Sequence, residues 1–403
     1  MNLEKLKNLK EKTEKVIENS QKYLMPTYSR IPIVPEKGEG VRVWDKEGKC
    51  YIDLVSGIGV MAVGYSHPRI CKVIKEQSQK LVHCSNLYHI ENQAKLAEKL
   101  CQISFADKVF FCNSGAEANE AAIKLARKFG YQKGAFEIVA MENSFHGRTL
   151  ATLGLTGQEK YRKWFGPFPP GFKFCEFNNV KKLKEMITSK TCAIIMEPIQ
   201  GEGGIKEASP EFIEAAREIC TEKDILLIFD EVQCGLGRTG KWFAYQHFGV
   251  EPDIMTLAKP LAAGLPIGAC LAKKNIADIF SPGDHASTFG GGPLVTSVAL
   301  EVLNIMEEEK LVEKAKEVGR YFREKLSSLK EKFPFIKEVR GKGLMLGMEL
   351  DIEGKPVMDK AREKGLLINV TKGKVLRFLP PLIIKKAEID EAVFILEESF
   401  KEI

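Results

Sequence analysis

The chain has 403 residues, a length that suits two to three domains. Hydrophobic residues make up 44%, enough for a sizeable core, and the 28% charged residues are too mixed in sign for a disordered chain. The formal charge of +6 is spread without a Lys/Arg block, which argues against a nucleic-acid or membrane-surface role and suits small anionic substrates.

No apolar run reaches the ~18 residues of a membrane span. The start, MNLEKLKNLKEKTEKVIENS, is too polar for a signal peptide, and Glu4, Glu11, Glu14 and Glu18 make it too acidic for a transit peptide. Ten cysteines lie scattered, with no C-x-x-C pair and no histidine at ligand spacing. They read as free thiols of a cytoplasmic protein, not as a disulfide frame or a metal site.

In chain order, residues 1–20 predict an amphipathic helix with Leu3, Leu6, Leu9, Val16 and Ile17 on its apolar side. Two short strands follow, VRVW and, after the Glu47-Gly48 turn signal, KCYIDLV. The middle then alternates apolar runs with helical segments. The runs are KVFFCN (108–113), FEIVAM (136–141), CAIIMEP (192–198), ILLIFD (225–230), DIMTLA (253–258) and PIGACLA (266–272). Most are continuously apolar, as strands buried on both faces are. Helices at 116–129, 179–188 and 210–223 separate several of them, so the middle is α/β with a mostly parallel sheet. After Gly292-Pro293 comes a long helical region, 294–331. Strands at 341–350, 365–370 and 375–378 and a helix at 387–401 complete an α+β tail, with no linker to separate it from the middle.

Several motifs sit at the ends of these strands. NSGAEANE (113–120) pairs Ser114 with Glu117 as a capping box, and Gly115 leaves room for an anion at the free N–H groups of the helix start. Alone it reads equally as an ordinary capped helix. ILLIFDEVQ ends a buried strand in Asp230 and Glu231, where a carboxylate can meet a metal, a ribose or a protonated ring nitrogen, or simply cap a helix. DIMTLAK carries a buried strand into Lys259, and desolvation suits such a lysine to Schiff-base chemistry. SFHGRT (144–149) offers the rings of Phe145 and His146 and the planar fork of Arg148. HASTFGG (285–291) offers the hydroxyls of Ser287 and Thr288, and LRFLPPL (376–382) places Arg377 on a late strand.

One motif competes. Gly235 to Gly240 spells G-x-G-x-x-G, a dinucleotide fingerprint. Residues 230–234 separate it from its strand, and the aromatic KWFAYQHFGV that follows does not resemble a small-residue helix. It reads instead as a glycine-rich loop. The other motifs converge on one inventory: a Schiff-base lysine, a carboxylate for a ring nitrogen, an anion cradle and arginines for carboxylates, which is what pyridoxal 5'-phosphate requires.

The segments GEGVRVWDKEGKCYIDLVSGIGV, GYSHP, FCNSGAEANEAA, SFHGRT, MEPIQGEGG, IFDEVQCGLGRTG, LAKPLAAGLPIGA, HASTFGGGP and LRFLPPLI occur in this order. By them the chain resembles the class III pyridoxal-phosphate aminotransferases over nearly its full length. The resemblance implies a fold-type I transferase: a large domain with a mostly parallel seven-stranded sheet, plus a smaller α+β domain. Residues 61–293 would form the large cofactor-binding domain, 294–403 the small one, and 1–60 an N-terminal segment belonging to the small domain.

The resemblance also implies roles. Lys259 would hold the cofactor covalently, and Asp230 would pair with its ring nitrogen. Gln233 would reach the 3'-oxygen, with Glu231 beside it, while Val232 and Phe145 would sandwich the ring. Gly115 and Ala116 would hold the phosphate through their N–H groups. Thr288 would reach the phosphate of a neighbouring subunit, which calls for a homodimer. Arg148, Arg377 and Ser287 would receive substrate carboxylates, with Glu197 near the substrate side. Two positions depart from the family: Pro260-Leu-Ala-Ala-Gly264 is poorer in glycine than usual, and Ala116 often stands as Thr.

The implied activity moves the terminal amino group of an amino-acid donor, N2-acetyl-L-ornithine foremost, to 2-oxoglutarate. The products would be N-acetylglutamate 5-semialdehyde and glutamate, as in arginine biosynthesis. Ornithine, succinylornithine, an acetyllysine-type compound or 4-aminobutyrate are alternative donors. A nicotinamide-dependent dehydrogenase is the alternative from another class.

Overall fold

The computed structural model describes residues 3–403. The first helix runs Leu3–Tyr23. The side chains of Leu3 and Leu6 lie outside the described residues, while Leu9 and Ile17 are partly covered and Val16 is exposed. An antiparallel ribbon follows, made of β1 (Pro35–Glu39), β2 (Arg42–Asp45) and β3 (Cys50–Asp53). Next come β4 (Lys108–Cys112), β5 (Glu137–Met141), β6 (Phe172–Cys175), β7 (Thr191–Met196) and a hairpin of β8 (Ile199–Gln200) with β9 (Lys206–Glu207). The strands β10 (Leu226–Asp230), β11 (Ile254–Leu257) and β12 (Gly268–Ala272) complete the middle. The tail adds β13 (Ile336–Lys342), β14 (Met345–Leu350), β15 (Leu366–Leu367), β16 (Asn369–Thr371) and β17 (Val375–Phe378).

The central sheet has seven strands in the order β4-β12-β11-β10-β7-β5-β6. The pairs from β11 to β6 are parallel, and β12 alone runs against both its neighbours. Its central strands are continuously apolar because both faces are covered. Ile194, Leu227, Phe229 and Met255 point into one core, and Ala193, Ile195, Leu226, Ile228 and Ile254 point into the other. This is the two-residue alternation of a pleated strand sandwiched between helical layers. The sequence reading passes over β6, an edge strand whose FKFC is short and only partly buried.

The tail differs from expectation in four places, two of them being an unexpected helix, Gly354–Glu363, and the expected strand 365–370, which is two short strands, β15 and β16, in different sheets. The helical region 294–331 is two helices, Pro293–Glu308 and Leu311–Lys332, separated at Lys310, whose φ is +52°. The expected strand 341–350 is the hairpin of β13 and β14, turned through residues 343–344. The N-terminal ribbon and the tail share one sheet, since β15 pairs in parallel with β3.

The loop after β10 ties the middle to the tail. Gly237 and Gly240 both take positive φ, and a Cβ at Gly240 would sit 2.8 Å from Lys316 in the second tail helix. No long helix follows, only the single 3-10 turn Ala244–His247, so this is not a dinucleotide fingerprint. Arg238 in this loop is buried and donates from Nη1 to the carbonyls of Leu344 and Pro380. Burial pushes its guanidinium down to about 9.

Glu231 anchors the loop. Its carboxylate accepts the N–H groups of Ala244 at 2.6 Å and Tyr245 at 2.7 Å. Burial pushes this carboxyl from the ordinary 4.5 up to about 8. The folded chain therefore keeps a proton there that the unfolded chain has lost, and stability falls as pH rises across that window. Replacing Glu231 by Gln removes the titration. The variant starts less stable, because an amide cannot accept both N–H groups. Its melting temperature relative to the unmodified chain should then climb steadily between about pH 5 and pH 8. A constant difference across the range would mean that the buried carboxyl does not titrate there.

Candidate active site

The carboxyl ends of the parallel strands deliver side chains to one cavity of about 260 Å³. This is where open α/β sheets bind ligands. Asp230 ends β10, Lys259 follows β11, Phe145 to Arg148 follow β5, Glu197 follows β7, and Glu202 follows β8. A larger cavity of about 340 Å³ opens at the opposite end, near Cys192 and Ile225 where β7 and β10 begin. Its lining offers two lysines and a single aspartate.

Asp230 is 3% exposed and fully engaged. Its Oδ2 accepts His146 Nδ1 at 2.8 Å and Asn119 Nδ2 at 2.7 Å, and its Oδ1 accepts the Val232 N–H at 3.0 Å. Three donors offset the desolvation of this carboxylate. His146 Nε2 is buried and has no partner among the described residues.

Lys259 opens a 3-10 turn directly after β11 and is partly buried. Among the described residues its amine has no hydrogen-bond or ion-pair partner. Burial holds the amine below its ordinary range. Arg377 adds to this, while Glu202, Asp230 and Glu197 oppose it.

The acidic and basic groups around the lysine are paired unequally. Arg377 is buried and reaches Glu202 Oε1 at 2.5 Å, Gln233 Oε1 at 3.1 Å and Asn369 Oδ1 at 3.1 Å. Burial pushes Glu202 up, but the guanidinium outweighs this and holds it below its ordinary value. Glu197 accepts the N–H groups of Phe145 at 2.9 Å and Gly201 at 3.0 Å, so it joins two loops beneath the cavity. Burial first, and Asp230 second, push it up to about 7. Arg148 is exposed, and no carboxylate lies against it among the described residues. Its guanidinium lies 4.2 Å from the Tyr161 ring centroid and 5.4 Å from that of Phe145.

At the helix start, Ser114 Oγ accepts the Glu117 N–H at 3.2 Å. Glu117 does not return the bond to Ser114, as a strict capping box would, but accepts the N–H of Asn113. Gly115 and Ala116 line the cavity, and among the described residues their N–H groups have no acceptor; Val232 is so close that a Cβ on Gly115 would lie 2.7 Å from its Cγ1.

Most of the expected site residues thus meet. Gly115, Ala116, Phe145, Arg148, Glu197, Asp230, Val232, Gln233 and Lys259 all line the cavity, and Arg377 contacts it through Glu202 and Gln233. Three do not. Glu231 faces the loop it anchors, because successive residues leave a strand in opposite directions. Ser287 is turned to Asn113 Nδ2 and the Gly290 N–H, and Thr288 is exposed away from the cavity. The sequence reading gave no role to Asn119, Glu202 or Tyr161, and none to His146 beyond its ring. The first two lie within NSGAEANE and MEPIQGEGG, but nothing in spacing says which polar residue of such a motif turns inward.

This donor set fits pyridoxal phosphate. An amine without partners, a satisfied buried carboxylate, two free N–H groups at a helix start and an aromatic wall correspond to the parts of that molecule. Comparison with known proteins agrees. The aminotransferase class-III family matches residues 23–400. Acetylornithine aminotransferase of Caldanaerobacter subterraneus is 53% identical, covering 96% of this chain and all of the relative. Its counterpart from Methanocaldococcus jannaschii is 52% identical, covering 97% and 99%. Among solved structures, ornithine aminotransferase from Toxoplasma gondii superposes with a TM-score of 0.93 at 36% identity, covering 97% of this chain and 95% of that one. Another structure of that enzyme holds the cofactor at partial occupancy in its active site. Acetylornithine aminotransferase from Elizabethkingia anophelis gives a TM-score of 0.87 at 35% identity, covering 97% and 99%. Motif order, site chemistry and these likenesses lead to one assignment: the chain belongs to the class III aminotransferases, enzymes that work with pyridoxal phosphate.

Proposed function

We propose that this chain transfers the terminal amino group of N2-acetyl-L-ornithine to 2-oxoglutarate, giving N-acetylglutamate 5-semialdehyde and glutamate on the route to arginine. The observation that carries this reading is the pair of unlike arginines beside Lys259. Arg148 is free for a carboxylate, and Arg377 is held by Glu202. Both substrates present carboxylates, and a planar bidentate cation suits these better than an ammonium. The acetylornithine aminotransferases at about half identity over the full length support the same donor.

Pyridoxal phosphate supplies an aldehyde that condenses with amines and a protonated ring that draws in the electron pair released when a C–H bond breaks. The chain does the rest. Lys259 Nζ, whose neutral form burial favours, would take the proton from the nitrogen-bearing carbon of the substrate and deliver it to C4'. Asp230 would set a negative charge against the ring nitrogen, and Gln233 would reach the 3'-oxygen. Phe145 and Val232 would close the two faces. The N–H groups of Gly115 and Ala116 would receive the phosphate. A substrate carboxylate that reaches Arg377 exchanges places with Glu202, so the guanidinium is never left without an anion. Arg148 receives the distant carboxylate of the donor.

Two copies complete the site in this reading. Thr288, and Ser287 beside it, serve the cavity of a partner, which accounts for a hydroxyl pair that does not line its own cavity. Phe289 next to them is 67% exposed and Leu87 is 86% exposed, as surfaces awaiting a second copy are. The proposed division sets 61–293 as the cofactor-binding domain and joins 1–60 with 294–403 as the small one, in keeping with the pairing of β3 with β15. Ten free cysteines suit a reducing cytoplasm.

Borohydride reduction of the holoenzyme followed by peptide mapping should label Lys259, and label on another lysine would sink the assignment. Steady-state rates with a panel of donors test the substrate. N-acetylornithine should exceed ornithine, and both should exceed monoamines without a carboxylate. Arg148→Lys should lose about 2 kcal/mol of kcat/KM with N-acetylornithine and little with a simple amine. Equal losses on both kinds of amine would make Arg148 structural, and a preference of the unmodified chain for monoamines would overturn the donor assignment.

A further inference from the structure

Asn119 is 1% exposed and stands on the helix Gly115–Gly130, four residues after Gly115. It therefore lies on the same helix face as the free N–H groups, one turn of about 5.4 Å further in. Its amide touches three other elements. Nδ2 donates to Asp230 Oδ2 at 2.7 Å at the end of β10, and to the carbonyl of His146 at 2.8 Å in the loop after β5. Oδ1 accepts the hydroxyl of Thr256 at 2.8 Å. Thr256 is fully buried on β11, directly beside Asp230 in the strand register.

This arrangement allows one orientation of the amide. Turned over, its oxygen would face the Asp230 carboxylate and the His146 carbonyl, two acceptors, while its nitrogen would lose both of these and meet only the Thr256 hydroxyl. Both donor hydrogens are spent, and each is spent on a group at the cavity wall. The His146 ring presses on the same carboxylate oxygen, so Asn119 fixes both the aspartate and the backbone that carries its second donor.

We propose that Asn119, oriented by Thr256, is a positioning residue for the cofactor ring. It ties the carboxylate that meets the ring nitrogen to the helix turn that holds the phosphate, so that both ends of the cofactor are referred to one rigid element. This rests on the reading of Asp230 as partner of the ring nitrogen. Without Asn119, Asp230 keeps two donors instead of three and is free to turn. It then stabilises a protonated ring nitrogen less well. A less cationic ring withdraws fewer electrons from the linkage to Lys259, which then holds its own proton to higher pH.

The measurement is the visible absorbance of the holoenzyme titrated with pH, together with the dissociation constant of the cofactor. The other titratable and charged groups around Asp230 and Lys259 are His146, Glu197, Glu202, Glu231, Cys234 and Arg377, and all stay in place in the variants used. Asn119→Leu, similar in shape, should move the midpoint up by about one pH unit and weaken cofactor binding about tenfold. Thr256→Val, which removes only the hydroxyl that orients the amide, should move it the same way by less and serves if Asn119→Leu fails to fold. Asp230→Asn is run beside them and should give the largest shift. A variant that melts earlier but titrates like the unmodified enzyme, while Asp230→Asn shifts, would overturn the proposal and leave Asn119 a packing residue. If Asp230→Asn also fails to shift, the ring-nitrogen reading falls, and this inference with it.

Discussion

A carboxylate buried at the end of a strand is costly unless donors surround it, and the site is organised around that constraint at Asp230. Its three donors come from the helix that begins at Gly115, the loop after β5 and the turn after β10. Each belongs to an element with other duties: the helix presents free N–H groups, the loop carries Phe145 and Arg148, and the turn carries Val232 and Gln233. Satisfying one anion therefore sets the positions of the cradle, the ring wall and the substrate side at once. Side chains locked in this way hold a site far more tightly than exposed loops could.

The same physics, applied to the other polarity, shapes Lys259. Burial favours its neutral form, and three carboxylates nearby keep the penalty from growing too large. One of them, Glu202, is occupied by Arg377, so the region holds its charges in nearly closed pairs. Arg148, like the Lys259 amine, has no carboxylate partner among the described residues. Its guanidinium rests on aromatic faces, which steady a cation without neutralising it. In the proposed reaction a substrate carboxylate would thus find one unclaimed partner and one that must be traded. The tail contributes Arg377 to the site and is clamped to the middle by the loop that Glu231 and Arg238 secure.

Much of this was legible in the residues. Continuous apolar runs mark β7, β10, β11 and β12 because both faces of those strands are covered, and the polar residues that end them mark the cavity. The small partly buried edge strand FKFC left no such trace. The break at Lys310 was hidden for another reason, since a left-handed lysine carries no turn signature of the kind glycine does. Inside the motifs, residue types announced chemistry but not direction. Asp230 and Glu231 are adjacent carboxylates, yet one enters the cavity and the other turns into a loop, a choice set by strand parity and by which N–H groups wait on each side. Asn119 and Glu202 sat in plain view in conspicuous motifs, and only tertiary packing assigns them partners. Ser287 turns to Asn113 and the Gly290 N–H instead of the cavity, and Thr288 is exposed, neither of which a hydroxyl in a short motif announces.

The central claim is that the buried negative charge at Asp230 drives the chemistry as well as organising the site. The direct measurement is a single half-reaction in stopped flow: Asp230→Asn loaded with cofactor, mixed with N-acetylornithine, and followed by the loss of visible absorbance. The account predicts that cofactor remains bound while the rate of bleaching falls by at least about a hundredfold, because the shape is kept and the charge is lost. Bleaching at close to the unmodified rate would contradict it.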